Sequence, residues 1–141
     1  MKEMGLNAYR FSISWSRVLP QGTGPVNEAG LQFYRDLCDE LLRNGIQPLV
    51  TLYHWDLPTV LYRKGGWKNP ESHNWFAAYT DVVSRALGDR VRYWMTFNAP
   101  QMFCGLGLQI GVHAPFERNE DADLMIITRN VLLAHGEAVR I

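Results

Sequence analysis

Pro48-Leu49-Val50-Thr51-Leu52-Tyr53-His54-Trp55-Asp56-Leu57-Pro58 decides the fold. Its first six residues form a nearly unbroken apolar run, the pattern of a strand buried on both faces, as in a parallel sheet covered by helices. The run then breaks into a histidine, an indole and a carboxylate. In parallel α/β folds the binding and catalytic groups lie at the carboxyl ends of the strands. This segment therefore predicts both a sheet and the place to look for chemistry.

The same alternation extends in both directions. Upstream, Asn27 is expected to cap a helix that ends before Gly45, with Tyr34, Leu37, Cys38, Leu41 and Leu42 on one stripe. Ala8 to Ser14 predicts an earlier strand, and Met1 to Met4 reads as the tail of a helix stopped by Gly5. Downstream, Asn69-Pro70 is expected as an N-cap followed by proline at the first helical position. The stripe Trp75, Phe76, Tyr79, Val82, Val83 and Ala86 follows, with Gly88 as its stop. Val91 to Phe97 reads as a third strand. A long loop bearing Gly105, Gly107 and Gly111 then leads to a last helix from about Asp123 onward, carrying Leu124, Ile127, Val131 and Leu132. Strands recur at intervals of roughly 40 residues, each followed by a helix, which is the α/β pattern. No low-complexity linker interrupts it. Residues 1–141 thus read as a single domain of three parallel β/α units, although a small doubly wound sheet gives the same string.

Composition narrows the functional classes. The chain is 47% hydrophobic and 20% charged, a globular mix, and its 14 basic and 14 acidic residues cancel. Neither nucleic acid nor a membrane surface is an expected partner for such a balance. No apolar run is long enough to span a bilayer. Cys38 and Cys104 have no metal-ligand spacing and no disulfide framework, and Met1-Lys2-Glu3-Met4-Gly5 has no apolar stretch of a leader. The expected location is cytoplasmic, and no metal or cofactor is expected.

The strand ends carry Ser14-Trp15-Ser16-Arg17, His54-Trp55-Asp56 and Asn98-Ala99-Pro100. Indoles beside hydrogen-bonding side chains suit a sugar, which presents an apolar face to stack on and hydroxyls to bond. Trp15, Trp55 and Trp94 are equally readable as core aromatics, and His54 as a structural histidine. Arg10 within an apolar strand is expected to be buried and to need a carboxylate, with none nearby in sequence. His73, His113 and His135 lack ligand spacing.

Met4-Gly5-Leu6-Asn7-Ala8-Tyr9-Arg10-Phe11-Ser12-Ile13-Ser14-Trp15-Ser16-Arg17 closely resembles a signature of glycoside hydrolase family one. Val50 to Pro58, Gly65-Gly66-Trp67 and Gly88-Asp89-Arg90-Val91 through Asn98 match the family in the same order, across nearly the whole chain. The resemblance implies strands two to four of a (β/α)8 TIM barrel and the hydrolysis of O-glycosyl bonds in β-glucosides. It implies that His54, Trp55 and Asn98 contact the sugar and that Arg10 pairs with the catalytic nucleophile. The expected ligand is a β-glucoside or glucose, held weakly or not at all by these residues alone.

Two departures stand out. Where the family reads Asn-Glu-Pro this chain reads Asn98-Ala99-Pro100, so Ala99 occupies the acid/base position and no catalytic residue is intact. Retaining hydrolysis needs two carboxyls about 5 Å apart, and a methyl group can neither donate nor accept the proton. Phe116 stands where the family usually has glycine, so that loop is expected to be reshaped. Asp56, Glu117 and Glu120 are not assigned a catalytic role. The expectation is a truncated, inactive relative of a β-glucosidase, against the alternatives of a carbohydrate-binding pseudoenzyme or a structural module. Open sheet edges further predict a homo-oligomer.

Overall fold

Three strands form where the apolar runs lie, in a computed structural model that describes residues 1–141. They are β1 (Ala8–Ser12), β2 (Gln47–Tyr53) and β3 (Tyr93–Phe97). The order is β1-β2-β3, both pairs are parallel, and Ser12 lies opposite Thr51 and Tyr53 opposite Phe97. Each strand adds beside its predecessor, an order that a barrel section shares with one half of a doubly wound sheet.

Both outer strands are shorter than the sequence suggests. β1 gives way to a short helix, α1 (Trp15–Val18), whose first bonds run from the Arg17 and Val18 N–H groups to Ser14 O. At β3 the Arg90 and Val91 N–H groups both donate to Leu87 O, which keeps them in the closing turn of the preceding helix.

Helix α2 (Glu28–Arg43) starts after Asn27 as expected, but the Asn27 amide donates to Arg17 O and does not cap the helix. Leu31, Tyr34, Cys38 and Leu41 form its buried stripe, while Leu42, one position further round, is exposed. After β2 come α3 (Thr59–Arg63), a 3-10 turn (Gly66–Lys68) and α4 (Ser72–Leu87). Asn69 accepts the Glu71 N–H at 2.8 Å and donates to Lys64 O at 2.7 Å. Asn69-Pro70 therefore shapes a turn, and the helix begins two residues later than the sequence pattern implies.

The glycine-bearing stretch after β3 is only partly a loop: Gly111 lies in the irregular segment before the last helix, but Gly105 and Gly107 are helical. Pro100–Met102 forms α5 and passes into a π-helix over Phe103–Gln109, burying Phe103, Cys104 and Leu108. Two glycines in seven residues weaken the helical pattern in sequence, but burial of the apolar positions restores it. The last helix, α6 (Asp121–Arg140), buries Ile127, Val131 and Ala134 and leaves Leu132 exposed.

An aromatic block locks the strand ends to the helices. Trp15 is fully buried and stacks on Tyr79 at 4.7 Å, and its indole donates to Gly22 O. Phe76 stacks on Phe97 at 4.6 Å, and Trp67 meets Tyr53 edge-on at 5.3 Å. Each such pair contributes about 0.5–1.5 kcal/mol beyond the area it buries. Phe11 of β1 stacks on Tyr34 of α2, while Tyr9 and Arg10 remain open to solvent.

Candidate functional site

The carboxyl ends of the three strands converge through a small hydrogen-bond network. Arg10 Nε donates to Thr51 Oγ1 at 2.9 Å, and Arg10 Nη2 donates to Asn98 Oδ1 at 2.8 Å. The Asn98 N–H donates to Tyr53 O at 2.9 Å, prolonging the β2–β3 ladder by one bond. The Trp55 indole N–H then donates to Asn98 O at 2.8 Å. Four of the residues involved lie 41, 43 or 88 positions apart in sequence.

This corrects one expectation. Arg10 is not buried and has no carboxylate; its partners are a hydroxyl and an amide oxygen, and the guanidinium faces the open side of the sheet. Two neutral acceptors leave its charge uncompensated and part of its donor fork free. Thr51 is the residue that sequence reasoning missed. Its one signal was a hydroxyl inside an otherwise apolar strand.

His54 is exposed at the end of β2, beside the hollow formed by Tyr9, Arg10, Phe11, Ser12 and Thr51. Its ring lies 5.4 Å from that of Trp55. Trp55 and Ala99 both adopt left-handed backbone, at φ 78 and φ 40. Non-glycine residues in that region cost of order 1–3 kcal/mol each and collect at functional sites. At Trp55 the indole bond to Asn98 O helps hold the conformation. Ala99 directly follows Asn98 and precedes α5, so a longer side chain there would start from the same strand end.

Trp15 and Trp94 do not join this cluster. Trp15 belongs to the buried aromatic block, and the Trp94 indole donates to Val91 O at 3.1 Å. Position at a strand end therefore did not separate the core indole Trp15 from the site-facing indole Trp55. His135 pairs with Thr96 Oγ1 at 2.9 Å, and His113 packs 5.7 Å from the Trp55 ring. Phe116 takes a left-handed φ of 63, the conformation that favours glycine.

Asp56 sits behind the network. Burial holds its carboxyl above the usual carboxylate range, against hydrogen bonds from its own backbone N–H, the Ser14 side chain and the Trp15 and His54 backbones that lower it. Its Oδ1 is buried with no partner. Burial likewise raises the Cys38 thiol to about 11, helped by Asp39, and the Cys104 thiol to about 12.

Parallel strands, helical crossovers and polar groups gathered at the strand ends define a section of an α/β barrel. The model of the family Glycosyl hydrolase family 1 matches residues 1–141, and the chain belongs to that family. It is 49% identical to Beta-glucosidase A of Thermotoga maritima and 48% identical to Beta-glucosidase A of Acetivibrio thermocellus, in each case over the whole chain. Coniferin beta-glucosidase of Pinus contorta is 46% identical over 99% of the chain. The solved beta-glucosidase of Thermotoga maritima in complex with deoxynojirimycin superposes with a TM-score of 0.95 at 49% identity, covering 99% of this chain. Its complex with castanospermine gives 0.96. The chain spans 31% of the length of these bacterial relatives, so the fold is a partial TIM barrel of three β/α units. No helix is long and apolar enough to cross a membrane.

Proposed function

We propose that this chain supplies one wall of the sugar site of a retaining β-glucosidase barrel. His54, Trp55 and Asn98 contact the glycone, and Arg10 is poised to pair with a nucleophilic carboxylate from elsewhere in the barrel. The observation that carries this reading is the 2.8 Å bond between Arg10 and Asn98. It ties the cation to the amide at two strand ends and leaves guanidinium donors directed to the open side. The named relatives are beta-glucosidases, and the superposed structures are complexes with deoxynojirimycin and castanospermine.

Ala99 occupies the acid/base position on this reading, so the 141-residue chain by itself does not hydrolyse glycosides. General acid–base assistance contributes about 10²–10⁴-fold in rate. The test is turnover of an aryl β-glucoside in two settings. The chain alone should be inactive with or without Ala99→Glu. Grafted in place of the matching third of the Thermotoga maritima beta-glucosidase, it should give a slow enzyme that Ala99→Glu accelerates by about 10²–10⁴-fold. Substantial turnover by the chain alone would contradict the assignment of roles.

The two outer strand edges, and separately the exposed apolar side chains of α6 such as Met125, Leu132 and Val139, favour self-association of the 141-residue chain. Light scattering that gives a monodisperse monomer at high concentration would count against this. The two buried free thiols suit a reducing compartment, the cytoplasm.

A further inference from the structure

A cavity of 230 Å³ is lined in part by Trp55, whose indole N–H reaches the Arg10–Asn98 network. Its walls combine the aromatic side chains of Tyr53, Trp55, Tyr62 and Trp67 with aliphatic ones such as Leu57 and Ile127. Its polar groups are Asp56, Thr59, Lys68 and Glu117. We infer that this cavity is a second binding site, for a single neutral polyol of monosaccharide size, and that its occupancy is transmitted to the strand-end network through Trp55.

Three observations carry the inference. The first is volume. At about 30 Å³ per water the space is too large for one or two solvent molecules, and it suits a single pyranose ring but not a disaccharide.

The second is chemistry. Aromatic surface such as that of Trp55 and Tyr62, beside hydrogen-bonding groups of both kinds, suits a polyhydroxylated ligand. Lys68 Nζ spends one donor on Asn119 Oδ1 at 2.9 Å and stands 3.8 Å from Glu117 Oε2, which leaves an ammonium donor free. Glu117 takes the Asn119 amide at 2.7 Å and keeps lone pairs in reserve. Together these residues join the segment around α3 to the segment after the π-helix. Asp56 also lines the cavity, with its Oδ1 sealed from solvent and without a partner.

The third is connectivity. Trp55 lines the cavity, and its indole N–H bonds Asn98 O, while Asn98 Oδ1 holds Arg10. A ligand that presses on this ring acts on the backbone carbonyl of Asn98, the residue whose side-chain amide holds the cation.

The site does not depend on the catalytic reading above. It shares Trp55 with that reading, and the two can fail separately.

The test is saturation-transfer NMR on the 141-residue chain with xylose, glucose and glycerol as probes. Thr59→Phe is designed to fill the cavity, and Asn98→Ala to remove the strand-end contact. The expected result is millimolar saturable binding, the level set by a dozen ligand atoms. It should survive Asn98→Ala and weaken about tenfold or more in Thr59→Phe. Glu117→Gln, a change at the rim that leaves the aromatic walls intact, should weaken it about tenfold through loss of a charged acceptor. This second variant keeps the test decisive if Thr59→Phe does not fold. Binding that disappears in Asn98→Ala and persists in Thr59→Phe and Glu117→Gln would place the sugar on the strand-end side and overturn the inference. Absence of saturable binding of any probe would overturn it as well.

Discussion

Removing the side-chain amide of Asn130 should weaken the fold more than any other single polar substitution. Asn130 is fully buried in α6, and its Nδ2 reaches Trp67 O at 2.9 Å, Asn69 O at 3.2 Å and Lys68 O at 3.5 Å. It thus satisfies the carbonyls of the turn that carries Trp67, and the Trp67 indole in turn donates to Tyr53 OH at 3.1 Å beneath the end of β2. In Asn130→Ala the Trp67 carbonyl loses its partner. A buried acceptor left unpaired costs about 1–3 kcal/mol, and loss of packing at a fully buried position puts the total near the top of that range. For a chain of this length each kcal/mol lowers the melting temperature by about 3–4 °C, so a drop of about 7–10 °C is expected. Circular dichroism melts at one fixed protein concentration measure it, the fixed concentration removing any effect of association. Asn130→Asp has the same shape and no donor, and it should be at least as damaging. Wild-type-like melting of Asn130→Ala, or tolerance of Asn130→Asp, would refute the claim that these bonds hold the turn.

Phe116→Gly should stabilise the chain by about 1 kcal/mol, since relief of left-handed strain exceeds the entropy cost of glycine and the ring is 67% exposed; a lower melting temperature would show that the ring packs. Cys38 and Cys104 should resist a thiol reagent at neutral pH in the native state and react readily in urea, because burial raises both thiols to about 11 and about 12. Asp56 holds its proton more tightly folded than unfolded. Its contribution is therefore fully present below its ordinary value of 3.8 and is lost as pH rises through the higher folded value. Asp56→Asn should flatten that decline, so that the variant gains stability relative to the parent from acid towards neutral pH in urea titrations. An unchanged pH slope would count against a raised Asp56.

Much of the architecture was legible in the local pattern. The apolar runs around Tyr9, Val50 and Met95, and the stripes through Tyr34–Cys38 and Phe76–Val83, specify strand, helix and order. Burial on one face imposes a fixed period on the chain, so this information is local. The ordered motifs also placed the candidate site at His54, Trp55 and Asn98.

The π-helix escaped because its glycines have weak propensity and its stability comes from burying Phe103, Cys104 and Leu108. The partners of Arg10 escaped because Thr51 and Asn98 come beside it only when three parallel strands are in register. The same register decides that Trp15 enters the aromatic block and Trp55 the site, although both follow strands. The sequence alone determined which segments are strands and helices and in what order, because periodicity is written along the chain. Tertiary structure alone decided which side chains meet, because parallel pairing joins residues some forty to ninety positions apart that no local pattern can bring together.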